Sequence, residues 1–175
     1  MSEMLPLVEP QIPALRRYAR TLTRDRDVAD DLVQDCLERA ISRWHQWREG
    51  GNPRAWLFSI LHNLAMSHLG KMRPGRQLRI EDASESAVAR PAQQPDRIQH
   101  RDLLRALEQL NEAQRSVLLL VGVEDLSYAE AARVLDVPIG TVMSRLSRAR
   151  EKLAQIMEGD VVETPASQPI LRRIK

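Results

Sequence analysis

The run LSYAEAARVLDVPIGTVMSRLSRAREKLAQIM, Leu126 to Met157, decides how this chain is read. It predicts a short helix from Tyr128 to Leu135, a tight turn through Asp136, Val137 and Pro138, and a longer helix from Ile139 onward. Ser127 stands where a helix cap is needed, with Glu130 placed to complete a capping box. Pro138 suits a helix start, where a missing N–H costs nothing. In the longer helix Ile139, Val142, Leu146, Ala149, Leu153 and Ile156 recur every three or four residues and form one apolar stripe. The opposite side carries Gly140, Ser144, Ser147, Arg148, Glu151 and Gln155, flanked by Met143, Arg145 and Arg150. Two short-linked helices, the second with hydroxyls and an arginine in its N-terminal half, suit a helix-turn-helix that enters the DNA major groove. There an arginine can pair with guanine and serines can reach bases or phosphates. A plain helical hairpin with a solvated face shows the same two-helix pattern, so charge has to discriminate.

Residues 101–158 hold eight basic and nine acidic groups, but between Ile139 and Met157 there are four basic groups against one acidic. Positive charge is concentrated on the proposed reading helix, which favours DNA over a merely solvated face. The whole chain does not share this bias: 26 basic and 24 acidic residues leave a formal charge of +2, so nucleic-acid contact must come from local patches. Aromatics make up 3% of the 175 residues, and any core must be built of Leu, Ile, Val, Ala and Met. One cysteine, Cys36, excludes an internal disulfide framework, fits a reducing cytosol and reads as a small apolar core residue. No apolar run approaches the ~20 residues that span a bilayer. The start MSEMLPLVEP lacks the basic beginning of a signal peptide, so a soluble cytoplasmic chain is expected.

Upstream, Pro6, Pro10 and Pro13 are expected to keep the first residues irregular. A helix follows from Ala14, with Leu15, Tyr18, Ala19 and Leu22 on one side, and then a turn over residues 23–27. A second helix, Val28 to Trp44, buries Leu32, Val33, Cys36, Leu37, Ala40 and Ile41, with Asp27, Asp30 and Asp31 near its positive end. That acid-rich face reads first as a solvated one. Residues 44–52 form a loop in which Trp44 and Trp47 either pack on the bundle or offer a stacking surface for a base. A third helix, Pro53 to Met72, alternates Trp56, Leu57, Ile60, Leu61, Leu64 and Leu69 with polar residues and runs out into Arg73. Within 81–97 four acids outnumber two arginines and two prolines interrupt any helix, so residues 74–99 read as a flexible acidic linker. Beyond it come a helix from Arg101 to Leu110 and another from Glu112 to Val123, capped by Asn111. The expectation is all-α: two small helical domains, 1–73 and 100–158, joined by the linker 74–99 and followed by a mobile tail, 159–175.

Three blocks, ADDLVQDCLERAISRW (29–44), NPRAWLFSILHNLAMSHL (52–69) and LSYAEAARVLDVPIGTVMSRLSRAREKL (126–153), resemble in order and spacing the signature blocks of the extracytoplasmic-function (ECF) sigma factors of bacteria. The resemblance spans residues 10–73 and 100–157. It implies a sigma2-like bundle and a sigma4-like helix-turn-helix domain, a factor that binds core RNA polymerase and directs promoter-specific initiation, and control by an anti-sigma factor. Position by position, it implies that Asp31, Gln34, Asp35 and Glu38 meet the polymerase β′ clamp, which reverses the solvated reading of that face. Trp47 and Asn63 fall at the family's site for a flipped non-template base of the −10 element, with Arg54, His68, Lys71 and Arg73 on the strand's phosphates. Ser144, Ser147 and Arg148 match positions that read the −35 element, with Thr141 and Arg145 on the backbone. The apolar surface of 115–121 would help dock the polymerase β flap, and the linker would thread toward the RNA exit path.

The chain departs from the family at Met143, where many members carry Lys or Arg, at Ser147, where some are bulkier, and at Asp136, which replaces a turn glycine. Catalysis is not expected. His45, His62, His68 and His100 lack helical zinc spacing, no phosphate loop or nucleophile signature appears, and neither cofactor nor metal is implied. The rival is a sigma-like decoy that sequesters an anti-sigma factor. Such mimics usually carry a receiver domain, for which 175 residues leave no room. An autonomous helix-turn-helix repressor would leave the first domain unexplained.

Overall fold

A computed structural model describes residues 4–47, 51–72 and 103–159. They form helices α1 (Leu5–Val8), α2 (Ile12–Thr23), α3 (Arg26–Ser42), α4 (Pro53–Met72), α5 (103–108), α6 (Glu112–Gly122), α7 (Tyr128–Leu135) and α8 (Ile139–Gly159). No strand occurs among the described residues. The expected linker, and the expected tail beyond Gly159, lie outside them.

Local chemistry sets most of the helix ends. Asp25 caps α3 by accepting from the backbone N–H groups of Asp27 and Val28, at 2.9 and 3.1 Å. Reciprocal capping boxes start α6 (Asn111 with Gln114) and α7 (Ser127 with Glu130). Asp136 ends α7 at φ 51°, the left-handed conformation expected of it in place of glycine. The prolines at the N-terminus act otherwise than expected. Pro6, Pro10 and Pro13 each occupy one of the first two positions of a helical segment, so residues 5–23 form two helices joined by a 3-10 turn. At such positions the absent N–H has no partner to lose, and the fixed φ favours the helix.

The first bundle packs α2 on α3, α3 on α4 and α4 back on α2. Its core holds Leu15, Tyr18 and Leu22 of α2, Val33 and Cys36 of α3, and Leu57, Phe58 and Leu61 of α4. Each fully buried Leu contributes about 1.5 to 3 kcal/mol. Tyr18 meets Phe58 edge-to-face, with ring centroids 5.2 Å apart. Ile41, expected inside, is 51% exposed: the buried stripe of α3 runs through Leu32, Val33, Cys36 and Ala40, and Ile41 lies about 100° round the helix from Ala40. In the second bundle, α6 and α7 pack on α8 through Val117, Leu120, Ala131, Val134, Val142 and Leu146. Ile139, expected to join this stripe, is 48% exposed in the first turn of α8. Buried Arg115 donates to the carbonyls of Leu107, Glu108 and Leu110, satisfying the C-terminal end of α5.

The two bundles are docked, α4 lying on α7 and α2 on α6, and one continuous apolar core runs through both. The face of 115–121 contributes Val117, Leu119 and Leu120 to that core.

Candidate nucleic-acid interface

α8 is held by its apolar stripe, which turns the opposite side outward. Gly140, Met143, Ser144, Ser147, Arg148 and Glu151 are exposed, and Thr141 and Arg145 are half-buried beside them. The hydroxyls are oriented within the helix: Ser144 Oγ donates to the Thr141 carbonyl and Ser147 Oγ to Glu151 Oε1, both at 3.1 Å. The side chains grouped as −35 readers in the sequence thus share one helix and adjoining faces.

On α3, Asp31, Gln34, Asp35 and Glu38 are all exposed on one stripe, with Gln34 Nε2 donating to Glu38 Oε1 at 3.1 Å. Asp30 is separated from them in role. It accepts two hydrogen bonds from Arg20 Nη2, at 3.0 and 3.2 Å, and lies 3.7 Å from Arg16 Nε, which ties α2 to α3.

The −10 candidates are dispersed. Trp47 stacks on Trp44 at 4.7 Å between centroids, and Trp44 meets Trp56 edge-on at 5.9 Å, so both loop tryptophans build on the first bundle. Asn63 and Lys71 are exposed on α4, and His68 is half-buried. Arg73 lies outside the described residues. Arg54 is not free to meet solvent strands in this arrangement. Its guanidinium donates to a Glu124 carboxylate oxygen, to the Glu124 carbonyl at 3.1 Å and to Gln11 Oε1 at 2.7 Å, and it lies 5.5 Å from the Phe58 ring centroid.

Glu124 is the residue that sequence reasoning missed. It is 1% exposed and sits between α6 and α7, where Arg17 also grips it, Nε and Nη2 donating to its two oxygens at 2.9 and 2.8 Å. Its partners lie 107 and 70 residues away, beyond any periodic signal. Two further polar contacts cross the same junction. Asn52 Nδ2 donates to Glu130 Oε1 at 2.6 Å, and Arg24 donates to the Glu108 carbonyl. The bond from Asn52 is the main reason that the Glu130 carboxyl titrates below its ordinary range.

Nearby, the Tyr18 hydroxyl lies 3.0 Å from His62 Nδ1 in a buried setting beside Ser116 of α6. Burial, assisted by the Arg145 charge on α8, pulls the His62 pKa down to about 4, so the ring is neutral at pH 7. Burial likewise raises the Tyr18 pKa. Cys36 is buried, its Sγ 3.5 Å from the Leu57 carbonyl, and burial pushes the thiol up to about 12. Among the described residues, no cluster of three or more His, Cys, Asp or Glu is placed to hold a metal ion. None of the described helices is long and apolar enough to cross a membrane.

Residues 8–62 match the family described as the sigma2 domain of PhyR, and residues 100–153 match sigma-70 region 4. The chain is 38% identical to the ECF RNA polymerase sigma factor EcfG of Rhodopseudomonas palustris, over 87% of this chain and 83% of that one. Among solved structures, it is similar to the sigma factor RpoE of Bartonella quintana in complex with the anti-sigma factor NepR, with a TM-score of 0.68 and 33% identity, covering 91% of this chain and 97% of that one. CnrH in complex with the cytosolic domain of CnrY gives 0.66 and 26%, covering 89% and 87%. With both helical units matched and the relatedness running through most of its length, the chain belongs to the extracytoplasmic-function family of RNA polymerase sigma factors.

Proposed function

We propose that the chain binds core RNA polymerase in the cytoplasm and directs promoter-specific initiation, with no catalysis of its own, under the control of an anti-sigma factor. The observation that carries this reading is the exposed face of α8, where Ser144, Ser147 and Arg148 stand together on a helix whose other side is locked into a core. Thr141 and Arg145 flank them as backbone contacts. Residues 100–158 serve as the −35 unit and residues 1–73 as the −10 unit. In the latter, Trp47 and Asn63 hold the flipped base, and Arg54, His68, Lys71 and Arg73 hold the strand. The acidic stripe Asp31, Gln34, Asp35 and Glu38 meets the polymerase clamp, and residues 115–121 meet the β flap once the bundles separate. The complex of a similar sigma factor with the anti-sigma factor NepR, and that of CnrH with the cytosolic domain of CnrY, support control by a protein partner.

The match of the first domain to the sigma2 domain of PhyR keeps a second reading in play, since a PhyR is described as an anti-anti-sigma factor. In that reading the chain sequesters an anti-sigma factor and starts no transcription. Run-off transcription with purified core polymerase, on the promoter upstream of the chain's own operon, separates the two. A sigma factor yields a defined transcript and shifts promoter DNA well only with core polymerase. A decoy yields no transcript, and a repressor shifts the DNA alone.

A further inference from the structure

Glu124 is the only acidic side chain among the described residues that is fully buried, and what surrounds it is a cradle for an oxyanion. Arg17 meets both carboxylate oxygens in a two-pronged fashion from α2. Arg54 meets one of them from α4, while Gln11 and the Phe58 ring fix its guanidinium from within the first domain. The arginine fork fits phosphate as it fits carboxylate, so a site preorganised for one accepts the other. Two further contacts across the junction have the same polarity: Glu130 and the Glu108 carbonyl, from the second domain, accept from Asn52 and Arg24 of the first. The second domain therefore presents to the first the oxygen acceptors that a nucleic-acid backbone would present.

We infer that Arg17 and Arg54, with Gln11 holding Arg54, form a phosphodiester-binding site for the −10 strand, and that Glu124 is its intramolecular stand-in. The inference rests on the sigma-factor reading and adds to it. Arg17 becomes a DNA-contacting residue, and the docked arrangement is a form in which the cradle is already filled. Promoter strand and second domain then compete for one pair of guanidiniums. The apparent DNA affinity of the free chain is lowered by the fraction of molecules that are docked. Removing the carboxylate charge leaves two arginines without their counter-charge at the junction and weakens docking selectively.

The test uses the full chain and a fluorescein-labelled single-stranded oligonucleotide carrying the non-template −10 sequence of the promoter above. Glu124→Gln is expected to tighten binding at least tenfold, and adding Arg17→Ala to it is expected to reverse the gain and lower the salt slope by about one. A methylphosphonate at the contacted phosphate should reproduce the Arg17→Ala loss. Should Glu124→Gln fail to fold, by circular dichroism, the otherwise wild-type chain still decides. With dyes on Arg26→Cys and Gln155→Cys, saturating oligonucleotide must lower energy transfer as the domains part. Equal affinity of wild type and a folded Glu124→Gln, or energy transfer that does not change at saturation, overturns the inference. Run-off transcription by the wild-type chain with core polymerase keeps the two levels apart: a normal transcript beside a silent Glu124→Gln sinks only the cradle, whereas no transcript sinks the parent reading.

Discussion

Lowering the pH from 7 to 5 should loosen this protein through His62. The ring is buried between α2 and the second domain, with Tyr18 on one side, Ser116 near it on α6 and the Arg145 charge reaching it from α8. Its pKa is about 4 in the folded chain against 6.5 for an ordinary histidine. Between those values the unfolded chain binds the proton and the folded chain does not, so stability rises with pH through the window. The contribution is complete above pH 6.5 and is lost as the pH falls toward 4. Evaluated at pH 5, the loss is about 2 kcal/mol of a total near 3 kcal/mol. Glu130 does not confuse the measurement. Its carboxyl is held below the ordinary carboxylate range by the Asn52 hydrogen bond, so its contribution fades only at still lower pH.

Urea unfolding at pH 5, 6 and 7 checks this, with His62→Gln as the control that keeps an acceptor near Tyr18 but cannot titrate. Wild type should lose stability across the series, and the variant should be nearly flat. At pH 7 the variant should cost about 1 to 3 kcal/mol for its imperfect hydrogen bond and packing. Equal slopes for the two proteins would refute the account, because the protons would then be taken up elsewhere.

Other outcomes follow from the same geometry. Arg148→Ala should cost about 1 to 3 kcal/mol at one −35 position and relax preference there, read from binding of the polymerase complex to single-base variants of the site. Asn63→Ala should impair strand opening at −10, measured by permanganate reactivity, while leaving closed-complex binding largely intact; identical defects in the two variants would contradict the division of labour. Cys36 should resist thiol reagents in the native chain and react at an ordinary rate in urea, because its thiol is buried and its pKa is raised to about 12.

What could be read from the sequence was what is settled within a few residues. Ser127 with Glu130 one helical turn on, and Asn111 ahead of an apolar run, each declare a helix start wherever the helix later packs. The stripe Val142, Leu146 and Ala149 declares a buried face in the same way, and the outward side of α8 follows by elimination. The misreadings share a cause. Ile41 and Ile139 fit the expected periodicity, but Ile41 lies about 100° round α3 from buried Ala40 and Ile139 stands in the first turn of α8, and how far cover extends round or along a helix is a property of the assembled bundle. The N-terminal prolines were legible as punctuation but not as helix starts. Glu124 had no local signature, since a loop acid between two helices reads as solvated until Arg17 and Arg54 close over it. The resemblance that singled out Arg54 as a phosphate ligand had the chemistry of the side chain without its present partner.

A junction closed by a buried carboxylate and two arginines is suited to opening in a way that an apolar seam alone is not. Desolvating the three charges offsets most of their mutual attraction, so the clasp contributes little net stability while it remains intact. Opening the junction returns the three charges to water, so the clasp itself resists separation little. A competing oxyanion that occupies the same donors excludes Glu124 from them, and a strand that carries phosphates then holds the domains apart where one without them does not. The apolar contacts among α2, α4, α6 and α7 supply the affinity that holds the bundles together, whereas Glu124 sets what can separate them.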